Sequence, residues 1–553
     1  MRNFRLALCG GLALGLVACS DLGVNDVTDP DRNRVLGTPA DVESFIGATY
    51  AQIQNATLGG SNDDIQTQLQ VMGMENVSGL ANFAMGPRGA IPRNPIDNSR
   101  GGQGNAGNVR DFQVLHRAAR MATIGLSRLN VLTLGSATRD KRAKMFARFS
   151  QGVALGNLAL VYDSASILTE NDDPVAAIPL SYYPAVMTAA LGYLDSALAI
   201  ATTTSGAFPL PDTWINGIAM TQTQFVQLIH SYKARLRASV ARDPTERAAV
   251  DWAAVIADAN AGITSDLNVA MNPSGGWDVI WPVQAFATGS ANWHQMSQFW
   301  LGMGDVSGAF DTWLNGSRAA FLVVSPDLRL PQGATRAAQV GDTARPNFRT
   351  FTGRPYVRNR PSGEDQPGDP FQISEYDFYR SRAFFLAGRI GNYPIMTAAE
   401  IRLLAAEGYL QPGPQQDFAQ AMALINVTRN DAAKGGLPAL SGMTDTVATV
   451  PGGAGCVPRV PDAAANFKAT KCGNIWDALK WEYRLETMYT GYGMWYFAAR
   501  GWGDLPEGTP VQWPVPYQEM DARAEPFYPM GGLGKTGSAG PGNYGLKVSG
   551  GLF

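Results

Sequence analysis

The chain is poor in charge, in histidine and in cysteine. Only 16% of its 553 residues are Asp, Glu, Lys or Arg, and the formal net charge is −3. Binding a nucleic-acid backbone needs clustered cations, which this balance does not offer, so nucleic acid is not an expected partner. The three histidines, His116, His230 and His294, are widely scattered, and neither a metal site nor a cofactor is expected. Long apolar runs are missing too. Beyond the first residues no segment has 18 or more apolar residues, so no other membrane-spanning helix is expected.

What is present begins at the N-terminus. Arg2 and Arg5 form a short positive region, and Leu6 to Val17 is an apolar stretch of secretory length, too short to span a bilayer. It ends in Leu16-Val17-Ala18-Cys19, which resembles a bacterial lipobox. That resemblance implies cleavage before Cys19 and lipidation of its thiol; the competing reading is an ordinary cleaved signal. Removing residues 1–18 removes two arginines and no acid, taking the formal charge from −3 to −5. Cys456 and Cys472 then remain, sixteen apart. In an oxidising compartment they are expected to form a disulfide, closing a loop that contributes about 3 kcal/mol. The alternative, a metal site, needs more ligands than lie nearby.

Residues 19–37 are polar, without periodicity, and read as a lipidated tether. Asp29, Asp31 and Asn33 echo a calcium loop, but Arg34 and Ala40 stand where its glycine and bidentate acid belong. A helix is expected from Thr38, with Pro39 in its first turn and Val42, Phe45, Ile46 and Ile53 on one face. Further helices are expected near 110–134, 138–168, 178–202, 221–243, 246–264, 395–411, 415–433 and 475–499. The stepping of Met187, Leu191, Leu194 and Leu198, and of Trp481, Leu485, Met488 and Tyr492, reads as core packing. Amphipathic helices in series predict a mainly α fold of stacked, tetratricopeptide-like hairpins. Between them lie loop-rich insertions at 72–109, 266–375 and 434–474, and a Pro/Gly/aromatic tail at 501–553. Residues 38–553 are taken as one helical domain carrying those insertions.

Six motifs in order carry a resemblance to the SusD/RagB family of outer-membrane lipoproteins. They are Thr38–Tyr50 after the lipobox; Arg142–Tyr162, a degraded match; Phe225–Arg242; Ala399-Glu400-Ile401-Arg402-Leu403-Leu404-Ala405-Ala406-Glu407; Ile425-Asn426-Val427-Thr428-Arg429; and Trp481–Glu486 followed by Trp495–Arg500. Val515-Pro516 is similar to the family's closing element. An acid that the family has near Arg500 is missing here. The resemblance implies four tetratricopeptide-like hairpins, a loop-rich second half and a non-catalytic role: surface capture of glycans for a SusC-like TonB-dependent transporter. Peptides or other nutrients bound by the same scaffold are the alternative, and a lipid-anchored glycoside hydrolase is a third reading. The expected location is the outer membrane, lipid-anchored and facing the cell surface.

Sugar binding needs flat apolar rings and planar hydrogen-bonding groups. Five of the twelve tryptophans, Trp277, Trp281, Trp293, Trp300 and Trp313, fall within 37 residues, with Asn292 and Gln295 among them. Trp277, Trp281, Asn292, Trp293 and Trp300 are the first ligand candidates. Phe83 and Arg88, in the 72–109 loop with Asn82 and Arg93, are the second. For any one ring, sealing a loop onto the helices is the competing role. Glu482 and Glu486, four apart on one helix, are the carboxylate pair a glycosidase would use, but Arg484 and Lys480 alongside suggest ion pairs. Gly102–Gly107 has the letters of a dinucleotide loop without a preceding apolar strand. Gly534-Lys535-Thr536 lacks the first glycine of a P-loop.

Overall fold

Short-range chemistry starts many of the helices. The Thr38 hydroxyl accepts the Asp41 N–H at 3.2 Å and opens α1 (Pro39–Gly47), with Pro39 in its first turn. A turn at Ala48 leads into α2 (Thr49–Thr57), and Val42, Ile46 and Ile53 are buried as the spacing predicts. Asp64 caps α3 (Ile65–Met72). Next come α4 (Asn105–Leu129) and α5 (Ala137–Val161), the latter capped by Ser136. They are followed by α6 (Tyr183–Thr203) and α7 (Gln222–Ser239), which opens with a reciprocal Thr221–Gln224 cap.

The stretch expected as one helix near 246–264 is divided. A turn of helix at Pro244–Ala248 ends before Asp251, which caps α8 (Trp252–Asn260). After a long excursion the helical stack resumes with α9 (Ala398–Leu410) and α10 (Phe418–Arg429). The expected helix over 475–499 is also two: α11 (Ile475–Thr487) and α12 (Met494–Trp502). Tyr489 and Gly493 take left-handed backbone, at φ 60° and 65°, and break it. A short α13 (Tyr517–Ala522) closes the described chain.

The computed structural model describes residues 36–60, 63–78, 84–173, 176–286, 294–317, 319–345, 347–364 and 374–528. The signal segment, Cys19, the tether before Leu36, Phe83, Asn292, Trp293 and Gly534–Thr536 lie outside the described residues.

Successive helices pack in series: α4 on α5, α5 on α6, α6 on α7, α7 on α8, α8 on α9, α9 on α10. Helix α6 is long and apolar enough to cross a membrane, at mean hydropathy 1.4. It is instead one layer of the stack, with Asp195 on its outer face paired to Lys233 of α7 at 2.9 Å.

Arg500 of α12 ties the layers together. In place of an acid, its fully buried guanidinium donates to the carbonyls of Leu160 (2.9 Å), Ser239 (2.9 Å) and Val511 (2.6 Å). These lie at the ends of α5 and α7 and in the closing segment. Burial pushes its pKa down to about 9.

Between and beside the helices the described chain forms two-stranded antiparallel pairs. The strands are β1 (Asn76–Ser78), β2 (Ser164–Ser166), β3 (Leu180–Tyr182), β4 (Leu267–Met271), β5 (His294–Met296), β6 (Val357–Asn359), β7 (Tyr376–Phe378), β8 (Gly391–Met396), β9 (Arg459–Pro461) and β10 (Thr470–Cys472). The pairs are β1–β5, β2–β3, β4–β8, β6–β7 and β9–β10. Cys456 and Cys472 are bonded beside the last pair, with Cα atoms 5.8 Å apart. One contiguous hydrophobic core runs beneath helices and insertions alike.

Candidate ligand-binding sites

Glu482 and Glu486 share a side of α11, as their spacing requires, but that side faces the interior. Arg329 meets both. Its Nη1 lies 2.6 Å from Glu482 Oε2 and 3.2 Å from Glu486 Oε1, and its Nη2 lies 2.7 Å from Glu482 Oε1. Asp327 binds the same guanidinium at 2.7 Å, and Lys434 Nζ reaches Glu486 at 3.0 Å. Burial alone would raise the Glu486 pKa. The surrounding Lys434, Arg380 and Arg329 outweigh it and hold that carboxyl well below the usual range. A glycosidase acid needs the opposite shift and access to substrate. The ion-pair partners also differ from those next to them in sequence. Arg484 lies over the Trp495 ring at 3.6 Å, and Lys480 pairs with Asp504 at 2.7 Å.

The described tryptophans of the 277–313 segment seal the core. Trp281, Trp300 and Trp313 are fully buried. Trp281 donates its N–H to the Tyr393 hydroxyl and stacks on Tyr489 at 4.2 Å. Trp300 donates to the Glu75 carbonyl at 2.8 Å. Trp277 is buried beside Tyr50, ring centroids 6.5 Å apart. Arg88 is buried as well, giving its Nε–H to Gln68 at 2.9 Å, and burial pushes its pKa down to about 10. Of the ligand candidates, Trp277, Trp281, Trp300 and Arg88 therefore lie in the packed interior. Each indole or guanidinium is enclosed by neighbours and has no open face for a sugar.

The flanks of the remaining candidates meet. Strand β1 ends at Ser78 and β5 begins at His294, and those two residues pair directly in the β1–β5 register. The Ser374 N–H donates to Gln295 Oε1 at 3.1 Å, and Arg360 Nη2 reaches the same oxygen at 3.4 Å. A third segment therefore returns to the same place. This junction is unusually polar for its burial. Glu75, Gln295 and Ser297 are buried and each keeps a side-chain atom with no hydrogen-bond partner. Burial pushes the Glu75 carboxyl up to about 8. The β1–β5 pairing had no sequence signal, because three-residue strands 218 positions apart leave no periodicity to read.

The glycine-rich stretch before α4 has a packing role. Gly104 takes φ +81° at the start of the helix, and Gly107 lets the helix close on the backbone of Asp63 and Asp64, where a Cβ would collide. Two larger cavities lie in the helical half. One of about 420 Å³ is walled by Tyr183, Met187, Val240 and Val250, and one of about 330 Å³ lies between α4 and α13. Among the described residues, none of the sequence-selected aromatics lines either.

No family model matches the chain, and no curated protein matches it. Solved structures do. A SusD superfamily protein from Parabacteroides distasonis superposes with TM-score 0.55 at 9% identity, over 88% of this chain and 97% of that one. One from Bacteroides thetaiotaomicron gives TM-score 0.53 at 14% identity, over 88% and 96%. One from Bacteroides vulgatus gives 0.50 at 13%, over 88% and 90%. The chain has the SusD fold, as the motif resemblance implied.

Proposed function

We propose that this protein is a surface lipoprotein of the outer membrane. It binds oligo- or polysaccharides and delivers them to a SusC-like TonB-dependent transporter, without cleaving them. The observation that carries the reading is the SusD fold along 88% of the chain. Two features support it. The Leu16–Cys19 lipobox suits a lipid anchor on Cys19, with residues 19–37 as the tether and 38–553 as the binding domain. The only carboxylate pair singled out for hydrolysis is consumed by Arg329, which favours capture over cleavage.

The residues taken to contact the glycan are the sequence candidates Phe83, Asn292 and Trp293, which lie outside the described residues. Their aromatic rings would cover the C–H faces of pyranoses, and the Asn292 amide would bind hydroxyls. The test is a tryptophan-fluorescence titration of the full chain, purified in detergent, against polysaccharides, oligosaccharides and peptides. A saturable response to one glycan class, lost in Trp293→Ala, is expected. A response to peptides with none to any sugar would replace glycan by peptide as the cargo.

A further inference from the structure

Positive charge in this chain is concentrated in one helical hairpin. Helices α4 and α5 carry nine Arg or Lys residues against two acids, in a protein whose formal net charge is −3. The closed end of the hairpin is the turn over 130–136. Arg128 precedes it, and Arg139, Lys141, Arg142 and Lys144 follow it. The acids beside them are Asp41, Glu43 and Asp140, and each is engaged. Asp41 accepts the Thr38 hydroxyl at 2.6 Å, and Asp140 accepts the Leu134 N–H at 2.6 Å. Glu43 of α1 is shared by Arg139 and by Arg142, the latter at 2.7 Å. The Arg139 side chain stays 44% exposed in that pair. Lys141 and Lys144 are exposed. Lys141 forms no ion pair among the described residues, and Lys144 attracts Glu170, which Arg148 already holds.

Two other observations fall at the same end. Val131, in the turn, is 74% exposed. The chain also enters the fold here. Arg128 Nη2 donates to the Leu36 carbonyl at 3.0 Å, and α1, which follows Leu36, supplies the Glu43 that Arg139 and Arg142 bind. The tether read from the sequence over residues 19–37 therefore joins the fold beside a basic tip with an apolar point. From Cys19 to Leu36 the chain can extend roughly 60 Å, so an acyl anchor alone leaves the domain free to turn. It also keeps the domain at about millimolar effective concentration beside the bilayer, where individually weak contacts suffice.

We propose that the closed end of the α4–α5 hairpin is a membrane-contact face. It binds the anionic headgroup phosphates of the bilayer that holds the acyl anchor. Arg139, Lys141 and Lys144 meet phosphate oxygens, and Val131 enters the headgroup layer. Arg128 keeps the entry of the tether on the same side. The contact fixes which way the rest of the domain faces. It rests on the lipid-anchor reading of Cys19 and adds an orientation to it.

The experiment is amine footprinting of the full chain, reconstituted through its own anchor into phosphatidylcholine vesicles with and without phosphatidylglycerol. A neutral acetylating reagent is used at single-hit dose and read by peptide mass spectrometry. Acetylation of Lys141 and Lys144 is expected to slow about fivefold in the anionic vesicles, the weight of one cation at such a surface. It is expected to recover in about 1 M salt, which screens the contact. Lys471 of β10, its side chain 58% exposed, is expected to react alike in both. Lys141→Gln and Val131→Asp, both at exposed positions, are expected to reduce the protection of Lys144. The same spectra report whether Cys19 carries acyl groups, so a failed anchor is seen separately, and vesicles added in excess to the unanchored chain then decide the face. The proposal is overturned if Lys141 and Lys144 react equally in both vesicles, if Lys471 slows with them, or if neither substitution alters Lys144. Slowing in neutral vesicles that grows with protein density would assign the face to a second copy of this chain and overturn it as well.

Discussion

Arg235 grips Glu400 with two parallel bonds, Nε to Oε1 at 2.6 Å and Nη2 to Oε2 at 2.7 Å, across 165 residues of chain. About two turns further along α9, Arg247 does the same to Glu407, with Nε to Oε1 at 2.8 Å. The Trp502 N–H adds a bond to Glu407 at 2.8 Å. These are the two glutamates of the Ala-Glu-x-x-Leu-x-x-Ala-Glu motif. Their role is to clamp α9 to the α7 layer and to the helical turn that follows it.

Breaking the first clamp leaves a buried charge alone. Glu400→Gln or Arg235→Met is expected to destabilise the fold by about 3–5 kcal/mol. The joint change Arg235→Met with Glu400→Leu is expected to recover much of that loss, since neither charge then remains buried. Urea unfolding of the three variants gives the comparison. Additive losses in the double variant would contradict a direct pair.

Stability is expected to fall as pH rises from 7 to 9. Asp64 is pushed up to about 8, first by burial and then by the neighbouring Asp111 carboxyl, and burial takes Glu75 to about 8. In the unfolded chain such groups titrate near pH 4. The folded state therefore holds protons that the unfolded state has lost, and that advantage disappears as pH passes through the folded values. Histidines His116 and His294, pushed down to about 4 and 3, do not titrate in this window. Asp64→Asn keeps an oxygen for the Thr67 N–H, bonded at 3.0 Å. Thermal unfolding at pH 7, 8 and 9 should show a smaller decline for that variant than for the native chain.

Trp300→Ala is expected to cost about 3–5 kcal/mol, because it removes a fully buried ring. It also releases the Glu75 carbonyl from its 2.8 Å bond. Its effect on ligand affinity, measured below the unfolding transition, should be small. A large affinity loss with unchanged stability would return this residue to the ligand surface.

Cys472→Ser is expected to lower stability by about 3 kcal/mol, the chain-entropy value for a loop of this length. Denaturant unfolding with and without reductant checks it. In reductant the native and variant curves should converge.

Much of the helical half is legible in the sequence because its signals are local. Thr38, Ser136, Thr221, Asp417 and Asn474 are all N-caps with side-chain bonds to the next turn. The apolar stepping of Leu191, Leu194 and Leu198 runs along α6, which the neighbouring helices cover. The break between α11 and α12 is less legible. The run from Trp481 to Tyr492 keeps helical spacing across residues that are not helical, and only the backbone at Tyr489 and Gly493 stops it. The tryptophan cluster misleads for a related reason. A dense group of rings in a glycine-rich segment fits a sugar platform and a loop seal equally, and exposure alone separates them.

The sequence by itself determined most of the helices, their caps and the order of the family-like motifs. Each is written in residues within a few turns of one another. The tertiary structure decided which charges meet and which rings are covered. Arg329 reaches Glu482 across 153 residues, and Ser78 pairs with His294 across 216. No local spacing encodes such contacts. They exist because a shared core brings distant segments within the few ångströms over which hydrogen bonds and buried ion pairs act.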